Sequence, residues 1–227
     1  LELLEEKRRA TITHAVTRGL NPGVELKETN IPWLGQIPAH WRLEKIKYIA
    51  NRRDEKIATA SGQKYIGLEH VESFTGKEIS TEAQSEPEGL SLGYQQGDVL
   101  FGKLRPYLAK VIKATDSGIC SSEFVVLSAE DKTLPEFLKY SLLNNQFIEE
   151  INSSTYGAKM PRANWDYIGN SYLPVPGIEE QENIAHFIGQ QDRVVTKLKQ
   201  KIQTQITLLR ERRTSLISHA VTGKVMI

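Results

Sequence analysis

Little in this chain is suited to covalent or metal chemistry. It has one cysteine, Cys120, in 227 residues, which excludes an internal disulfide and any multi-cysteine zinc site. A chain without disulfides fits a reducing compartment, so a cytoplasmic location is expected. Its histidines, His14, His40, His70, His186 and His219, form no metal-spacing pair with one another or with the cysteine. It has no phosphate-cradling Walker loop, no dinucleotide glycine fingerprint and no Gly-x-Ser-x-Gly elbow. Asp98 with Lys103 faintly echoes a metal-dependent nuclease, but Asp98 follows Gly97 and reads as a turn residue. No catalytic residue, metal or cofactor is expected. No apolar run reaches the roughly 18–20 residues that a membrane span needs. The first ten residues carry Glu2, Glu5, Glu6, Lys7, Arg8 and Arg9 and are no signal peptide. They also lack an initiating Met, as expected of a processed chain or a fragment.

What is present is an ordinary globular composition, 39% hydrophobic and 25% charged, in a chain long enough for a real core. The net charge is only +1, but its distribution is uneven. Residues 42–64 hold seven Lys/Arg against three acids, residues 101–114 four against none, and residues 193–213 seven against Glu211 alone. Residues 65–100 reverse this, with seven acids against Lys77. Such polarity suits a basic surface facing phosphate; charge scattered over solvated faces fits the composition equally well.

An internal repeat sets the organisation. Leu3-Leu4-Glu5-Glu6-Lys7-Arg8-Arg9-Ala10-Thr11-Ile12-Thr13-His14-Ala15-Val16-Thr17 returns as Leu208-Leu209-Arg210-Glu211-Arg212-Arg213-Thr214-Ser215-Leu216-Ile217-Ser218-His219-Ala220-Val221-Thr222. The offset of 205 residues is too long for a solenoid repeat and matches one domain plus its connectors. His14 and His219 are expected to help pack these segments. After Pro174-Val175-Pro176-Gly177, a run to Val221 contains no Pro and only Gly189. Glu179, Glu180 and Glu182 suit its N-terminus, and Gly223 is placed to stop it. Ile188, Val195, Ile202, Leu209 and Leu216 recur every seven residues, while the companion series Ile184, Gln191, Leu198, Gln205, Arg212 and His219 is mixed. About forty helical residues would span on the order of 60 Å. A period nearer 3.5 than 3.6 favours a coiled-coil partner over a helix lying on its own domain.

Between these segments the pattern is mixed. Residues 64–71, 97–104, 109–114 and 123–128 read as strands, short, β-branched or aromatic, and bounded by turn formers. Residues 134–151 read as an amphipathic helix with Thr133 as cap and Pro135 in the first turn. A further helical turn is expected over 162–167 and a closing strand over 172–175.

These segments, in this order, resemble one half of the specificity (S) subunit of bacterial type I restriction-modification systems. Gly35-Gln36-Ile37-Pro38-Ala39-His40-Trp41 is similar to the entry of a target-recognition domain, and the stretch from Gly97 to Tyr107 to its central strand and turn. Ser121-Ser122-Glu123-Phe124 resembles the next strand. Gly157-Ala158-Lys159-Met160-Pro161-Arg162, then Leu173-Pro174-Val175-Pro176 with Glu180-Gln181-Glu182 and Ile184, resemble the exit into the spacer helix. The resemblance implies a mixed α/β target-recognition globule (21–176) followed by a long coiled-coil spacer helix (177–227), with a short spacer helix at the N-terminus (1–20). It implies a non-catalytic subunit that reads double-stranded DNA and docks methyltransferase (M) subunits, with restriction (R) subunits reached indirectly. Methyl donor and ATP would belong to those partners. The family usually carries two recognition domains and this sequence has one, so it is either part of a longer subunit or a half-subunit forming a homodimer through its spacers. The alternative from another class is a coiled-coil scaffold whose globule binds protein.

DNA reading needs cations and backbone N–H groups for phosphates, and forked or amide donors for base edges. Lys103 and Arg105, two apart, would share one strand face, as a phosphate or groove contact or as solvated edge charges. The segment 154–164 offers Lys159, Arg162 and Asn164 as donors and Tyr156 as a packing surface, or is an ordinary polar loop. Arg52, Arg53 and Lys64 (with Lys56) form a third candidate set. Arg210, Arg212 and Arg213 would face DNA, partner acids or solvent. Trp33, Trp41 and Trp165 are expected to pack rather than stack on bases. Ile184, Ile188, Val195, Leu198, Ile202, Leu209 and Leu216 are the expected coiled-coil interface.

Overall fold

The computed structural model describes residues 1–58, 63–79, 90–157 and 159–222. It divides into two compact units, residues 9–188 and residues 1–8 with 189–227. The chain opens with α1 (Glu2–Arg18), β1 (Leu26–Glu28), β2 (Gln36–Pro38), β3 (Arg42–Lys45) and the single turn α2 (Ile46–Ile49). Then come β4 (Ala50–Arg53), β5 (Lys56–Ala58), β6 (Tyr65–Ile66), β7 (Leu90–Tyr94), β8 (Val99–Gly102), β9 (Val111–Lys113), β10 (Gly118–Cys120) and β11 (Phe124–Ala129). It closes with α3 (Pro135–Leu142), α4 (Asn145–Ser153), α5 (Trp165–Asn170), β12 (Tyr172–Val175) and α6 (Ile178–Val221).

In the 9–188 unit the antiparallel sheet β4-β11-β8-β9 forms the centre. Its inner strands are buried on both faces, and strand alternation divides their side chains between two cores. Val99, Phe101, Val111, Val125 and Leu127 enter the larger one, with Trp41, Phe137, Phe147 and Leu173. Leu100, Ile112, Phe124 and Val126 enter a second one, with Ile66, Val71, Tyr94 and Cys120. The second core lies under the sheet β5-β7-β10-β6, in which only β10 and β6 run parallel. Pairs β1-β2 and β12-β3 are antiparallel.

Both helical segments contribute to the larger core. Helix α1 buries Ile12, Ala15 and Val16 there, and Gly19, at φ +76°, ends it where a side chain would press on Trp41. The start of α6 buries Gln181, Ile184 and Ile188. Gln181 donates from Nε2 to the carbonyls of Lys132 and Pro176, 2.9 Å each, and accepts from the Leu134 N–H at 2.8 Å.

Several expectations change in register. The 134–151 helix is two helices, because the Asn144 side chain accepts from the Gln146 N–H (3.0 Å) and caps a new start. Thr133 does not cap α3; Gln181 takes that role, while Pro135 does sit in the first turn. The 64–71 strand shortens to β6, since residues 68–70 tighten into a 3-10 turn held by Lys110, whose Nζ donates to the carbonyls of Leu68 and Val71 at 2.8 Å. The turn expected over 162–167 is α5, and β12 covers the expected closing strand. Ile184 and Ile188, expected in a coiled-coil interface, are 0% and 1% exposed within the larger core. His14 and His219 are exposed, and His219 Nδ1 lies 3.4 Å from Ser215 Oγ. Gly223 lies outside the described residues. No described helix is long and apolar enough to cross a membrane.

In the unit of residues 1–8 and 189–227, Arg8 makes a two-point pair with Asp192, Nε at 2.6 Å and Nη2 at 3.0 Å, and Glu5 pairs with Lys199. Val195 is half-buried, whereas Leu198, Ile202, Leu209 and Leu216 are 42%, 38%, 62% and 55% exposed. An apolar stripe therefore faces outward along this part of α6.

Candidate nucleic-acid interface

Two segments expected separately to carry donors are joined by backbone bonds. Strand β8 ends at Gly102, so Lys103 and Arg105 do not share a strand face as expected. Instead the Lys103 N–H donates to the Glu123 carbonyl (2.9 Å) and its carbonyl accepts from the Ala163 N–H (2.9 Å). Leu104 bridges Arg162, and the Arg105 N–H donates to the Pro161 carbonyl at 2.7 Å. Arg162 in turn bridges Tyr156, through a reciprocal pair of 3.1 and 3.3 Å. Residues 103–105, 156 and 161–163 thus form one irregular ribbon.

Arg105 sits at φ 49°, ψ 60°, a left-handed backbone rare for a side chain other than glycine. Pro106 follows and starts a 3-10 turn that ends on Ala109, also left-handed. Two such residues within five positions cost energy that the surrounding backbone bonds hold in place. The result leaves Arg105 exposed, beside Tyr107, which is 45% exposed.

Lys103 is half-buried. Burial pushes its pKa below the ordinary lysine value; the Glu123 carboxylate opposes this, and the Arg52 and Arg162 guanidinium groups add to it. Arg162 pairs bidentately with Glu123, Nη2 to Oε1 at 2.6 Å and Nε to Oε2 at 2.9 Å, which holds it above its ordinary pKa. Arg52, exposed at the edge strand β4, lies 5.7 Å from the Trp165 ring and 3.4 Å from Asp54. Lys159 and Tyr156 are exposed; Ala158 lies outside the described residues.

Other candidates are occupied in holding the fold. Arg53 donates to Asp98 (2.8 Å), Gln95 (3.1 Å) and Ser128 (3.2 Å), and Asp98 also accepts from the Gln95 N–H, as a turn residue does. Lys64 donates to Glu78 at 2.8 Å and Asp116 at 3.1 Å; burial lowers its pKa, but those two carboxylates raise it further. Asn164 caps α5 by accepting from the Asp166 N–H at 3.1 Å. Trp41 is 1% exposed and Trp33 meets Phe147 edge-on at 5.8 Å, so both pack, while Trp165 is half-buried beneath Arg52. Two contributors lay outside the expectation, Glu123 and the exposed Met160 (47%). An acid at the start of β11, beside the end of its partner strand, was the available signal for the first. No group of three or more His, Cys, Asp or Glu among the described residues is placed to hold a metal.

The description of the type I restriction modification DNA specificity domain matches residues 45–208. The chain is 22% identical over 244 aligned positions to the type I restriction enzyme EcoDI specificity subunit of Escherichia coli, covering 99% of this chain and 54% of that protein. It is 23% identical to the MjaVIII specificity subunit of Methanocaldococcus jannaschii, with 100% and 55% covered. Among solved structures, the HsdS subunit from Thermoanaerobacter tengcongensis superposes with a TM-score of 0.56 at 26% identity, over 76% of this chain and 48% of that one. A chain from a study of complex assembly and conformational transition of the type I R-M system gives 0.60 at 25%, over 79% and 50%. The S subunit from M. genitalium shares the fold, at 0.55 and 13% identity, over 92% and 53%. The chain spans about half the length of the curated relatives it matches.

Proposed function

Since this chain belongs to the type I restriction modification DNA specificity family, we propose that it is a sequence-specific DNA recognition module that reads one half-site of a split target. It performs no chemistry itself and acts in the cytoplasm, where methyltransferase subunits dock on it and restriction subunits join through them. The observation that carries this reading is the ribbon of residues 103–105, 156 and 161–163. It brings Lys103 and Arg105 together with the segment bearing Lys159, beside Arg52. Lys103, Arg105 and Lys159 suit phosphate oxygens, and Tyr156 suits a sugar or base face.

The exposed stripe Leu198, Ile202, Leu209 and Leu216 supports a helical partner. The repeat supports a second unit of the same kind. In the first copy Ile12, Ala15 and Val16 are each 1% exposed, packed on a globule. Their counterparts are open, Ile217 at 52% and Val221 at 82%. A second recognition globule, in another copy of this chain or in a longer polypeptide, would cover them as the first globule covers the first copy. Paired through their spacers, two identical chains would read inverted half-sites.

The test is duplex binding by the purified chain over a salt series. Affinity that falls steeply with salt is expected. A salt-independent affinity for protein partners, with no duplex binding at low salt, favours the scaffold reading instead.

A further inference from the structure

We infer that Glu123 stands where a DNA phosphate would otherwise sit, and so keeps the Arg162 charge out of sequence-independent DNA binding. The inference rests on the DNA reading proposed above and deepens it. Arg162 lies in the ribbon beside Lys103, where a phosphate-binding arginine would be placed. Yet its Nε and Nη2 meet both Glu123 oxygens, at 2.9 and 2.6 Å. That fork-to-fork geometry is the one a guanidinium offers to phosphate. The side chains are 39% and 22% exposed, so the pair sits at the surface, open to exchange. Glu123 is also held: its carbonyl accepts from the Lys103 N–H, and its own N–H donates to Ser121 Oγ at 3.2 Å.

A phosphate from an arbitrary sequence gains nothing by exchanging one two-point anion for another. The pair is neutral and adds nothing to the counterion release that drives non-specific binding. Glu123 thereby sets the background affinity of the surface, which matters because a genome offers on the order of a million or more competing sites.

The experiment measures binding of the purified chain to a duplex of random sequence across a salt series. Glu123→Gln unmasks Arg162, so the slope of log affinity against log salt is expected to steepen by about 0.9, an increase of about eightfold at 0.1 M relative to 1 M. Glu123→Asp keeps the charge and is expected to keep the wild-type slope. Glu123→Gln with Arg162→Gln replaces a neutral pair by a neutral pair. It is also expected to keep the wild-type slope, and it serves if the single variant does not fold. A Glu123→Gln slope equal to wild type overturns the mask. So does a double variant with a slope shallower by about one phosphate, since Arg162 would then already reach DNA. If the wild-type chain binds no duplex even at low salt, the DNA reading falls, and the mask with it.

Discussion

Replacing both Lys103 and Arg105 by Ala tests the site where its geometry is most specific. Lys103 and Arg105 are each held by two backbone bonds, Arg105 in an unusual left-handed conformation. Neither takes part in a carboxylate pair among the described residues, so both charges are available to phosphate. Each neutralised phosphate contributes about −0.9 to the slope of log affinity against log salt, so losing two flattens it by about 1.8. Between 50 and 200 mM salt, a factor of four, wild type should therefore lose about twelve times more affinity than the double variant. The loss should be equal for cognate and unrelated duplexes, because phosphates carry no sequence. Fluorescence anisotropy with a labelled duplex at several salt concentrations reads this directly. The lowered pKa of Lys103 adds a second signature. Below that pKa the lysine is charged, so affinity should decline with rising pH earlier than for an ordinary lysine, and Lys103→Arg should abolish the decline. Parallel salt plots for wild type and the double variant would refute the reasoning, as would a loss confined to one sequence.

Other perturbations test the frame around the site. Gln181→Ala leaves the Leu134 N–H and two carbonyls without their buried partner; a loss of about 3 kcal/mol is expected from the denaturant midpoint, allowing for partial hydration. Replacing Val195, Ile202 and Leu209 by Asp should abolish association with a second copy or with methyltransferase subunits in sedimentation, while the near-ultraviolet spectrum of the 9–188 unit stays unchanged. Glu136 should sensitise the fold to acid. Burial raises its pKa, but Lys139 and Lys113, the latter at 2.5 Å, outweigh this and hold it below 4.5. Its contribution is therefore present above the unfolded value of 4.5 and is lost as pH falls through the folded one. Thermal melts of Glu136→Gln should show a smaller fall across that window than wild type.

The elements legible in the sequence were those with a strong local cause. Strands β8, β9, β11 and β12 carry dense apolar runs between turn formers, and α6 carries a long repeat with a proline-marked start. Strands β1, β2 and β5, three residues each, left no such mark, because their neighbours rather than their side chains specify them. The break between α3 and α4 depends on one side-chain bond by Asn144, which an apolar periodicity that continues to Ile148 conceals. Ile184 and Ile188 fit a heptad and a globular core equally well. What decides is the tertiary contact of Gln181, just ahead of them, with a loop 47 and 49 positions earlier in the chain.

The same limit applies with more force to charge. Composition counts every cation alike, but a polyanion responds only to charge left uncompensated within about 10 Å of it at ordinary salt. Arg53 is paired with a carboxylate that is almost wholly buried, Lys64 with two carboxylates and Arg162 with one, at 2.6–3.1 Å. Those cations position strands and ribbon. Of the cations considered for the interface, Lys103, Arg105 and Lys159 make no carboxylate pair among the described residues, and Arg52 makes only a long one to Asp54. On the DNA reading proposed above, a chain of net charge +1 would still meet phosphate with these cations, because acids are placed against Arg53, Lys64 and Arg162 instead.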